Sequence, residues 1–313
     1  MSFFYKIVKH VKNRKLFFLI KEKLEFSFYN LIVRNNNVSL NALQCKNYRK
    51  LKRKFKKIID EEIIVTNKEK IDKIWFCWLQ GYNSAPDLVK ACYNSIKEAI
   101  PDKEIIFLTE DNIQEYIEFP NYINYKYKKG IIGKAHYSDL VRISLLCKYG
   151  GTWIDSTVLC TSSKFANYIM EQPLFVFKQL ELNNKDIYPI VASNWLISSE
   201  SNNEICLLTQ KLLFEYWKKY NYAIDYFIFH FFFAMASEKY SEIWKKIPTF
   251  NNINPHILQF ELNNEYSKNR WEQIINSSGF HKLNHHNEYN KNDNMYSHII
   301  ERYLIKKDDI NHE

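Results

Sequence analysis

Glycine, proline and long apolar runs are all scarce in this 313-residue sequence. It has only six glycines and seven prolines, which excludes collagen-like and linker-like chains. The run LFFLI at 16–20 is too short for a signal-peptide core or a membrane span. The run YFIFHFFFAMA at 226–236 is also too short and is interrupted by His230, so it predicts a buried helix.

Paired cysteines are missing as well. The six cysteines are scattered, form no CxxC pair and mostly lie within apolar runs, as reduced core residues do. The sequence therefore indicates a reducing compartment, and we expect a cytoplasmic protein. Hydrophobic residues make up 46% of the chain and charged residues 25%, which is the balance of a folded globular protein.

Acidic residues are scarce at the N-terminus. Residues 1–60 hold 16 Lys and Arg but three acids, whereas the remainder holds 28 basic and 32 acidic residues. Phe4, Ile7, Val8 and Val11 share one face of a predicted helix, a pattern typical of a helix at a membrane interface. The basic cluster at 49–57 would add attraction to anionic lipid. A solvated helical face packed on the rest of the protein is the alternative.

From residue 72 onward, short apolar runs alternate with helical periods, which predicts an α/β domain with a largely parallel sheet. The strand, helix, strand, helix order is typical of the start of a nucleotide-binding sheet, where ligands lie at the C-terminal ends of the strands. Ser84 and Thr109 are candidate helix caps. The predicted strands are 72–78, 103–109, 152–154 and 189–198, the predicted helices are 84–100, 135–149, 203–220 and 225–237, and 251–294 is predicted to be loop-dominated.

The segment SDLVRISLLCKYGGTWIDST, at 138–157, combines an acid, a base, a double glycine and a second acid. Asp139 and Arg142 are three residues apart on a predicted helix and share a face. They could form an exposed ion pair of little energetic value, or they could bind sugar hydroxyls and phosphate. Gly150 and Gly151 would stop the helix and turn the chain into the strand that ends at Asp155.

The pattern S-D-L-x-R-x-x-L-L-x-x-x-G-G-x-W-x-D-x-T resembles the motif of the capsular polysaccharide synthesis protein family, which is related to DXD-containing glycosyltransferases with a GT-A fold. Segments at 73–96, 194–198, 225–230 and 281–283 resemble the family in the same order, so the resemblance covers about 73–283. It implies a GT-A-like domain at 71–313, with a Rossmann-like mixed sheet flanked by helices. The basic helical segment at 1–70 would precede that domain.

The resemblance also implies an activity. The implied activity is that of a glycosyltransferase, and we expect it to be a hexosyltransferase. The enzyme would move a sugar from a nucleotide diphosphate sugar to a capsular or other bacterial surface glycan, with retention of anomeric configuration. It implies that Trp78 and Gln80 line the pocket for base and ribose, and that Asp139 and Arg142 hold the donor. Core packing is the alternative for Trp78.

Asp155 matches the first acid of the DXD motif, and Thr157 stands where the last acid belongs. Mg²⁺ or Mn²⁺ would stabilise the charge that develops on a diphosphate leaving group, and carboxylates are the usual ligands for these ions. Thr157 offers only a neutral hydroxyl, so Asp155 would hold the metal with help from water and the diphosphate. By resemblance, His281 is a further candidate metal ligand, and Lys282 would place a point charge on phosphate.

Three other residues have open assignments. Asn194 and Trp195 would contact a donor or acceptor sugar, or would be a turn residue and a core residue. Asp225 precedes a predicted apolar helix and either caps it or faces the sugar as an acceptor-side or catalytic group. Asp155 and Asp225 are thus the candidate catalytic residues. His136 and His230 are expected to be structural residues of apolar helices.

The expected partners are a nucleotide-sugar donor and a glycan or lipid-linked glycan acceptor. Residues 1–60 would add contact with the anionic inner face of the cell membrane, and no nucleic acid is expected because no binding signature is present. Two alternatives stay open. The chain could be a non-catalytic or degenerate relative, given Thr157, or a basic module that binds membrane or nucleic acid, in which 138–157 is a coincidence.

Overall fold

The computed structural model describes residues 15–65, 67–180, 189–289 and 292–305. The predicted helical face formed by Phe4, Ile7, Val8 and Val11 lies outside these ranges. None of the helices within them has both the length and the apolar character that crossing a membrane requires.

Two sheets are formed by the described strands. These are β1 (Lys73–Cys77), β2 (Glu104–Leu108), β3 (Gly151–Asp155), β4 (Val158–Cys160), β5 (Leu174–Lys178), β6 (Ala192–Ser199) and β7 (Phe280–Lys282). The larger sheet has the order β2-β1-β3-β6-β5, and β4 pairs with β7 in the smaller one. β1 is parallel to β2 and β3, whereas β6 is antiparallel to β3 and β5. The sheet is therefore mixed, and its parallel part is limited to the strands reached through helical crossovers.

Helices flank the sheet. Those described are α1 (Lys15–Val33), α2 (Asn36–Lys54), α3 (Lys56–Asp60), α4 (Asp87–Ala99), α5 (Ile113–Tyr116), α6 (Asn121–Lys128), α7 (Lys134–Tyr149), α8 (Ser163–Met170), α9 (Glu204–Lys219), α10 (Ile228–Lys239), α11 (Ser241–Lys246), α12 (Ile257–Glu261), α13 (Lys268–Ser277) and α14 (Met295–Ile300). Short 3₁₀ turns occupy Tyr82–Ser84 and Asn254–His256, and a π-helical turn occupies Glu301–Ile305.

Each face of the sheet carries its own core because successive strand residues point to opposite sides. Trp75 and Trp153 pack with α7, α9 and α10 on one face. Phe76 and Ile154 pack on the other face. The core of the first face also includes Tyr48, Leu51 and Phe55. The described part of the basic segment is therefore attached to the α/β core.

Two expectations about local structure are wrong. Ser84 does not cap a helix, because its hydroxyl donates to the Gln80 carbonyl oxygen at 2.7 Å and α4 begins after Pro86. Thr109 does not cap α5 either. The Asn112 side chain accepts from the Thr109 backbone N–H at 2.8 Å, and the helix begins only at Ile113.

The expectation that residues 251–294 are loop-dominated holds for only about half of this range. This part of the chain contains the helices α12 and α13 and the strand β7. Several of its large apolar residues, among them Leu258, Trp271 and Ile274, are buried in a third core cluster. Tertiary packing thus stabilises helices that the Asn-rich composition disfavours.

The double glycine is required by close backbone packing. Gly150 and Gly151 have φ of 73° and 88°, a region that residues with a Cβ rarely adopt. A Cβ on Gly151 would lie 2.6 Å from the Lys73 carbonyl oxygen, and one on Gly150 would lie 2.7 Å from the Ser201 backbone nitrogen. These two residues let α7 stop and β3 begin within one step, which sets the position of Asp155.

Candidate functional site

Arg142 joins two carboxylates at the C-terminal end of β3. One guanidinium nitrogen donates to Asp139 Oδ1 at 2.7 Å and the other donates to Asp155 Oδ1 at 2.8 Å. The guanidinium also lies over the rings of Trp153, at 4.9 Å, and Phe229, at 5.6 Å. Arg142 is only 4% exposed. Charge pairing and aromatic contacts therefore fix a cation beneath the site.

Each carboxylate is also held by a neutral donor. The Asn194 amide on β6 donates to Asp139 Oδ1 at 2.9 Å, and the Trp153 indole N–H donates to Asp155 Oδ1 at 2.8 Å. Both Oδ1 atoms are therefore bound by the protein. The Oδ2 atom of Asp139 lies 3.8 Å from His136 Nδ1, and that of Asp155 lies 3.9 Å from Lys282 Nζ. The carboxylates are thus oriented so that one oxygen of each stays available to a ligand.

A cleft of about 180 Å³ opens over this network. Besides the network residues, its lining includes Cys77, Ser138, Tyr226 and His230. Burial lowers the pKa of His230 to about 4, and burial raises the pKa of the Cys77 thiol to about 12. At neutral pH the imidazole and the thiol are both uncharged, so the charge of the cleft comes from its carboxylates and basic side chains.

Lys282 approaches Asp155 from the smaller sheet. β7 pairs with β4 so that Lys282 lies opposite Val158. The Lys282 ammonium donates to the Thr157 hydroxyl. Burial lowers the pKa of Lys282, and the negative charge of Asp155 opposes that shift. Thr157 and Lys282 therefore form a pair beside Asp155.

His281 faces away from that pair. Neighbouring strand residues point to opposite sides, so the His281 ring lies on the other face of β7 from Lys282. It is fully buried, its Nε2 lies 3.0 Å from Thr161 Oγ1, and burial lowers its pKa to about 4. Asp155, Thr157 and His281 thus do not converge as a set of metal ligands. The described residues contain no group of three or more His, Cys, Asp or Glu side chains suited to a metal ion.

Trp78, Gln80, Trp195 and Asp225 do not line the cleft. Trp78 packs against the second core with its ring edge near His285, at 5.2 Å, and Gln80 is exposed in the turn after β1. Trp195 is buried and stacks on Phe177 at 4.8 Å. Asp225 accepts from the Phe227 backbone N–H at 2.9 Å. Burial raises the pKa of Asp225, against opposing hydrogen bonds from Phe227 and from Asn47 on α2.

Sequence reasoning gave no role to several residues of the cleft. Trp153 belongs to the motif that was recognised, and its spacing of two from Asp155 on a strand already indicates that both side chains share a face. Tyr226 and His230 lie in the segment DYFIFH, where His230 was expected to be a structural residue and Tyr226 received no assignment. Phe229 stacks on Arg142 from α10, a contact that exists only in the folded chain.

A larger cleft of about 890 Å³ lies next to the first one, on the N-terminal side of α7. Its lining includes Glu110 after β2, Tyr127 on α6, and Lys134 and Tyr137 on α7. The rings of Tyr127 and Tyr137 stack at 3.8 Å. The two clefts share one helix, since Ala135 and Ser138 of α7 line the smaller one.

Two individual proteins are among those to which this chain is similar. O-glycosyltransferase braB of Annulohypoxylon truncatum is 32% identical over 92 residues, which are 26% of this chain and 22% of that protein. The solved structure of PaToxG Glycosyltransferase is 13% identical, and the superposition covers 67% of this chain and 83% of that one with a TM-score of 0.37. At this TM-score the likeness is not evidence for a shared topology.

The family comparison covers far more of the sequence. The model of the family described as capsular polysaccharide synthesis protein matches residues 28–300. The match extends beyond the range of 73–283 indicated by the motifs, and it includes the C-terminal end of α1 and all of α2. It also contains every residue of the Arg142 network. The chain therefore belongs to the capsular polysaccharide synthesis protein family.

Proposed function

We propose that this chain is a glycosyltransferase with a GT-A-like fold, and that the Arg142 network holds its nucleotide diphosphate sugar. The observation that carries the proposal is the placement of Arg142 between Asp139 and Asp155, at the edge where the parallel strands end. This edge is where α/β sheets bind nucleotides. Family membership and the glycosyltransferase name of the relative from Annulohypoxylon truncatum support the same reaction class.

The two clefts suit the two parts of such a donor. The larger cleft has the stacked rings of Tyr127 and Tyr137 for a base and the Glu110 carboxylate for ribose hydroxyls. The smaller cleft offers Asp139 Oδ2 and Asp155 Oδ2 to sugar hydroxyls. The diphosphate would lie between them, near Arg142 and Lys282, where basic side chains stabilise its charge.

A resident divalent cation does not fit the three residues that the DXD-like motif suggests. Asp155 Oδ1 is already bound by Arg142 and Trp153, the Thr157 hydroxyl accepts from Lys282, and His281 faces the other side of β7. The remaining carboxylate oxygen faces the Lys282 ammonium at 3.9 Å. We therefore assign the neutralisation of the leaving group to Lys282 and Arg142.

The transfer itself needs no further cofactor. The bond between the anomeric carbon and the β-phosphate oxygen breaks, and its electron pair leaves with the nucleoside diphosphate. The acceptor hydroxyl oxygen forms the new bond to that carbon, and its proton passes to the departing phosphate oxygen. Stabilising this leaving group and positioning the acceptor lower the barrier. Proton delivery to the same face of the sugar agrees with retention of configuration.

Asp225 has a supporting role in this scheme. Its carboxylate binds the backbone of Phe227 and the side chain of Asn47, while the adjacent Tyr226 lines the cleft. Asp225 thus positions the loop that carries Tyr226. Asn194 acts in a similar way by orienting Asp139. We assign a hexose unit as the group transferred and a capsular or other bacterial surface glycan as the acceptor, assembled at the cytoplasmic side of the membrane.

Donor hydrolysis tests the proposal. The purified chain is assayed with a panel of UDP-, GDP- and CMP-sugars, with and without Mn²⁺, beside Asp155→Ala. Asp102→Ala, in an exposed turn before β2, is the matched control. The proposal expects one nucleotide diphosphate sugar to be hydrolysed by the wild type and by Asp102→Ala but not by Asp155→Ala. Donor binding without turnover would indicate a non-catalytic relative, and neither binding nor turnover with any donor would overturn the proposal.

A further inference from the structure

Helix α1 turns an apolar stripe toward solvent. Phe17, Ile20, Leu24, Phe28 and Leu31 recur every three or four residues and are between 51% and 78% exposed. This spacing places them on one face of the helix. Single exposed apolar residues are common on soluble proteins, whereas a continuous row of large ones marks an interaction surface.

The opposite face of α1 is bound to the protein. The Phe18 ring stacks on Tyr222 at 4.3 Å, and Glu25 pairs with Lys46 of α2. The helix is therefore fixed with its apolar stripe outward, and no described residue covers that stripe. Because one side of α1 is packed on the protein, the helix can lie along a surface but cannot be surrounded by lipid.

The charges around the stripe have one sign. Lys21 and Lys23 are both exposed, and helical geometry puts them on opposite edges of the stripe, because they are 200° apart around the axis. Arg49, Lys50 and Arg53 of α2 are also exposed. Residues 1–60 hold 16 basic and three acidic residues, while the rest of the chain holds more acids than bases.

We propose that the apolar stripe of α1 inserts into the interface of an anionic lipid bilayer, with the lysines at its edges and the basic face of α2 contacting the lipid headgroups. Apolar residues on one face and lysines beside them form the pattern of a helix that lies in a membrane interface. A second copy of the chain is a poorer occupant. Pairing two α1 stripes would bring two strongly basic segments together, and like charges at an interface oppose association.

The same helices hold the loop that borders the donor cleft. Phe18 on α1 packs on Tyr222, and the Asn47 side chain on α2 donates to the Ile224 carbonyl oxygen at 3.4 Å. Two residues further along, Tyr226 lines the cleft. Docking through α1 would thus bring the bilayer within one loop of the cleft, although the proposed docking does not depend on which donor binds there.

Sedimentation with lipid vesicles tests this surface in the full chain. The vesicles contain phosphatidylcholine with about 30% phosphatidylglycerol, and vesicles of phosphatidylcholine alone are compared with them. The test variant is the triple change Ile20→Ser, Leu24→Ser and Phe28→Ser. Its matched control is Ile64→Ser, Ile253→Ser and Phe260→Ser, three exposed apolar residues elsewhere. Circular dichroism and the melting temperature establish that both variants are folded.

The wild type and the control are expected to bind the anionic vesicles. The affinity of the α1 variant for these vesicles is expected to be lower by a factor of roughly ten or more. Binding should also weaken at high salt, because the Debye length falls from about 10 Å at 0.1 M to about 3 Å at 1 M. Equal binding by the α1 variant, or no preference for the anionic vesicles, would overturn the proposal. Light scattering without vesicles gives a further check on the oligomeric state. If the wild type is a dimer and the α1 variant is a monomer, the stripe is covered by a second copy of the chain and the proposal is overturned.

Discussion

Arg142 and Asp155 come from different elements, α7 and β3, and are joined by a hydrogen bond of 2.8 Å beneath the cleft. The same guanidinium holds Asp139 at 2.7 Å. A planar fork can bridge two carboxylates in this way, whereas the single ammonium of a lysine cannot. The geometry of both acids therefore depends on one side chain.

We predict that Arg142→Lys lowers the rate of donor hydrolysis by about a hundredfold, because one carboxylate loses its partner and the leaving group loses a fixed charge. Loss of a buried partner should also lower the free energy of unfolding by up to about 3 kcal/mol. Steady-state kinetics and chemical denaturation measure the two effects. Arg270→Lys, at an exposed pair with Glu261, should change neither. Wild-type kinetics in Arg142→Lys would contradict the assignment.

The Lys282 and Thr157 pair predicts how the site responds to metal. Wild-type donor binding should be the same with Mn²⁺ and with a chelator.

Lys282→Met should weaken nucleoside diphosphate binding by roughly tenfold or more, since a charged hydrogen-bond donor is lost. Lys268→Met, on the exposed surface of α13, should leave that binding unchanged. Thr157→Asp would add a second carboxylate and should make binding respond to Mn²⁺. Calorimetric titration separates these cases, and loss of wild-type binding on chelation would show that a metal is required.

Glu22 on α1 gives a prediction about pH. Burial, followed by the nearby Asp225 and Glu25 carboxylates, raises the pKa of Glu22 to about 7. The folded chain thus holds a proton that the unfolded chain releases above the ordinary pKa of 4.5. Stability from this group is present at low pH and is lost as the pH rises from about 4.5 to 7. Glu22→Gln should raise the melting temperature above pH 7 and flatten its pH dependence in that range, whereas Glu272→Gln at an exposed position should leave both unchanged.

The double glycine predicts a sharp difference between positions. Gly151→Ala should lower the free energy of unfolding by about 1–3 kcal/mol, because the φ angle of residue 151 is positive and the new Cβ would lie 2.6 Å from the Lys73 carbonyl oxygen. Gly133→Ala is the matched control, since the Cβ that this change adds would have no atom of a non-neighbouring residue within 4 Å. Denaturant unfolding of both variants measures the contrast. Equal stability of the two would show that the turn before β3 tolerates a side chain.

Much of the framework was predictable from local pattern. The apolar run around Trp75 and Phe76 predicted β1, and the helix predicted at 135–149 is α7, which begins one residue earlier. The direction of β6 was not predictable, because parallel and antiparallel strands have the same alternation and the pairing partner is distant in sequence. The elements between residues 251 and 294 were missed because their stability comes from the third core cluster.

Some residues of the candidate site could likewise be placed from the sequence, whereas others could not. Asp139 and Arg142 were placed together by helical spacing, and the strand after the glycines placed Asp155. Trp195 and Asp225 could not be assigned from the sequence, because burial against Phe177 in one case and contact with Asn47 in the other depend on distant parts of the chain. Family membership, which the motif indicated, is confirmed by the match over residues 28–300.

The alternation of His281 and Lys282 along β7 makes the chemistry of the cleft depend on strand register. A shift of β7 by one residue against β4, in the direction that brings His281 opposite Val158, would place the His281 ring where the Lys282 side chain now lies. The ammonium beside Asp155 would then be replaced by an imidazole, whose charge disappears near neutral pH. A single-residue insertion in the loop before β7 would thus replace the cation that we assign to the diphosphate with a group that titrates, without altering any residue of the motif at 138–157.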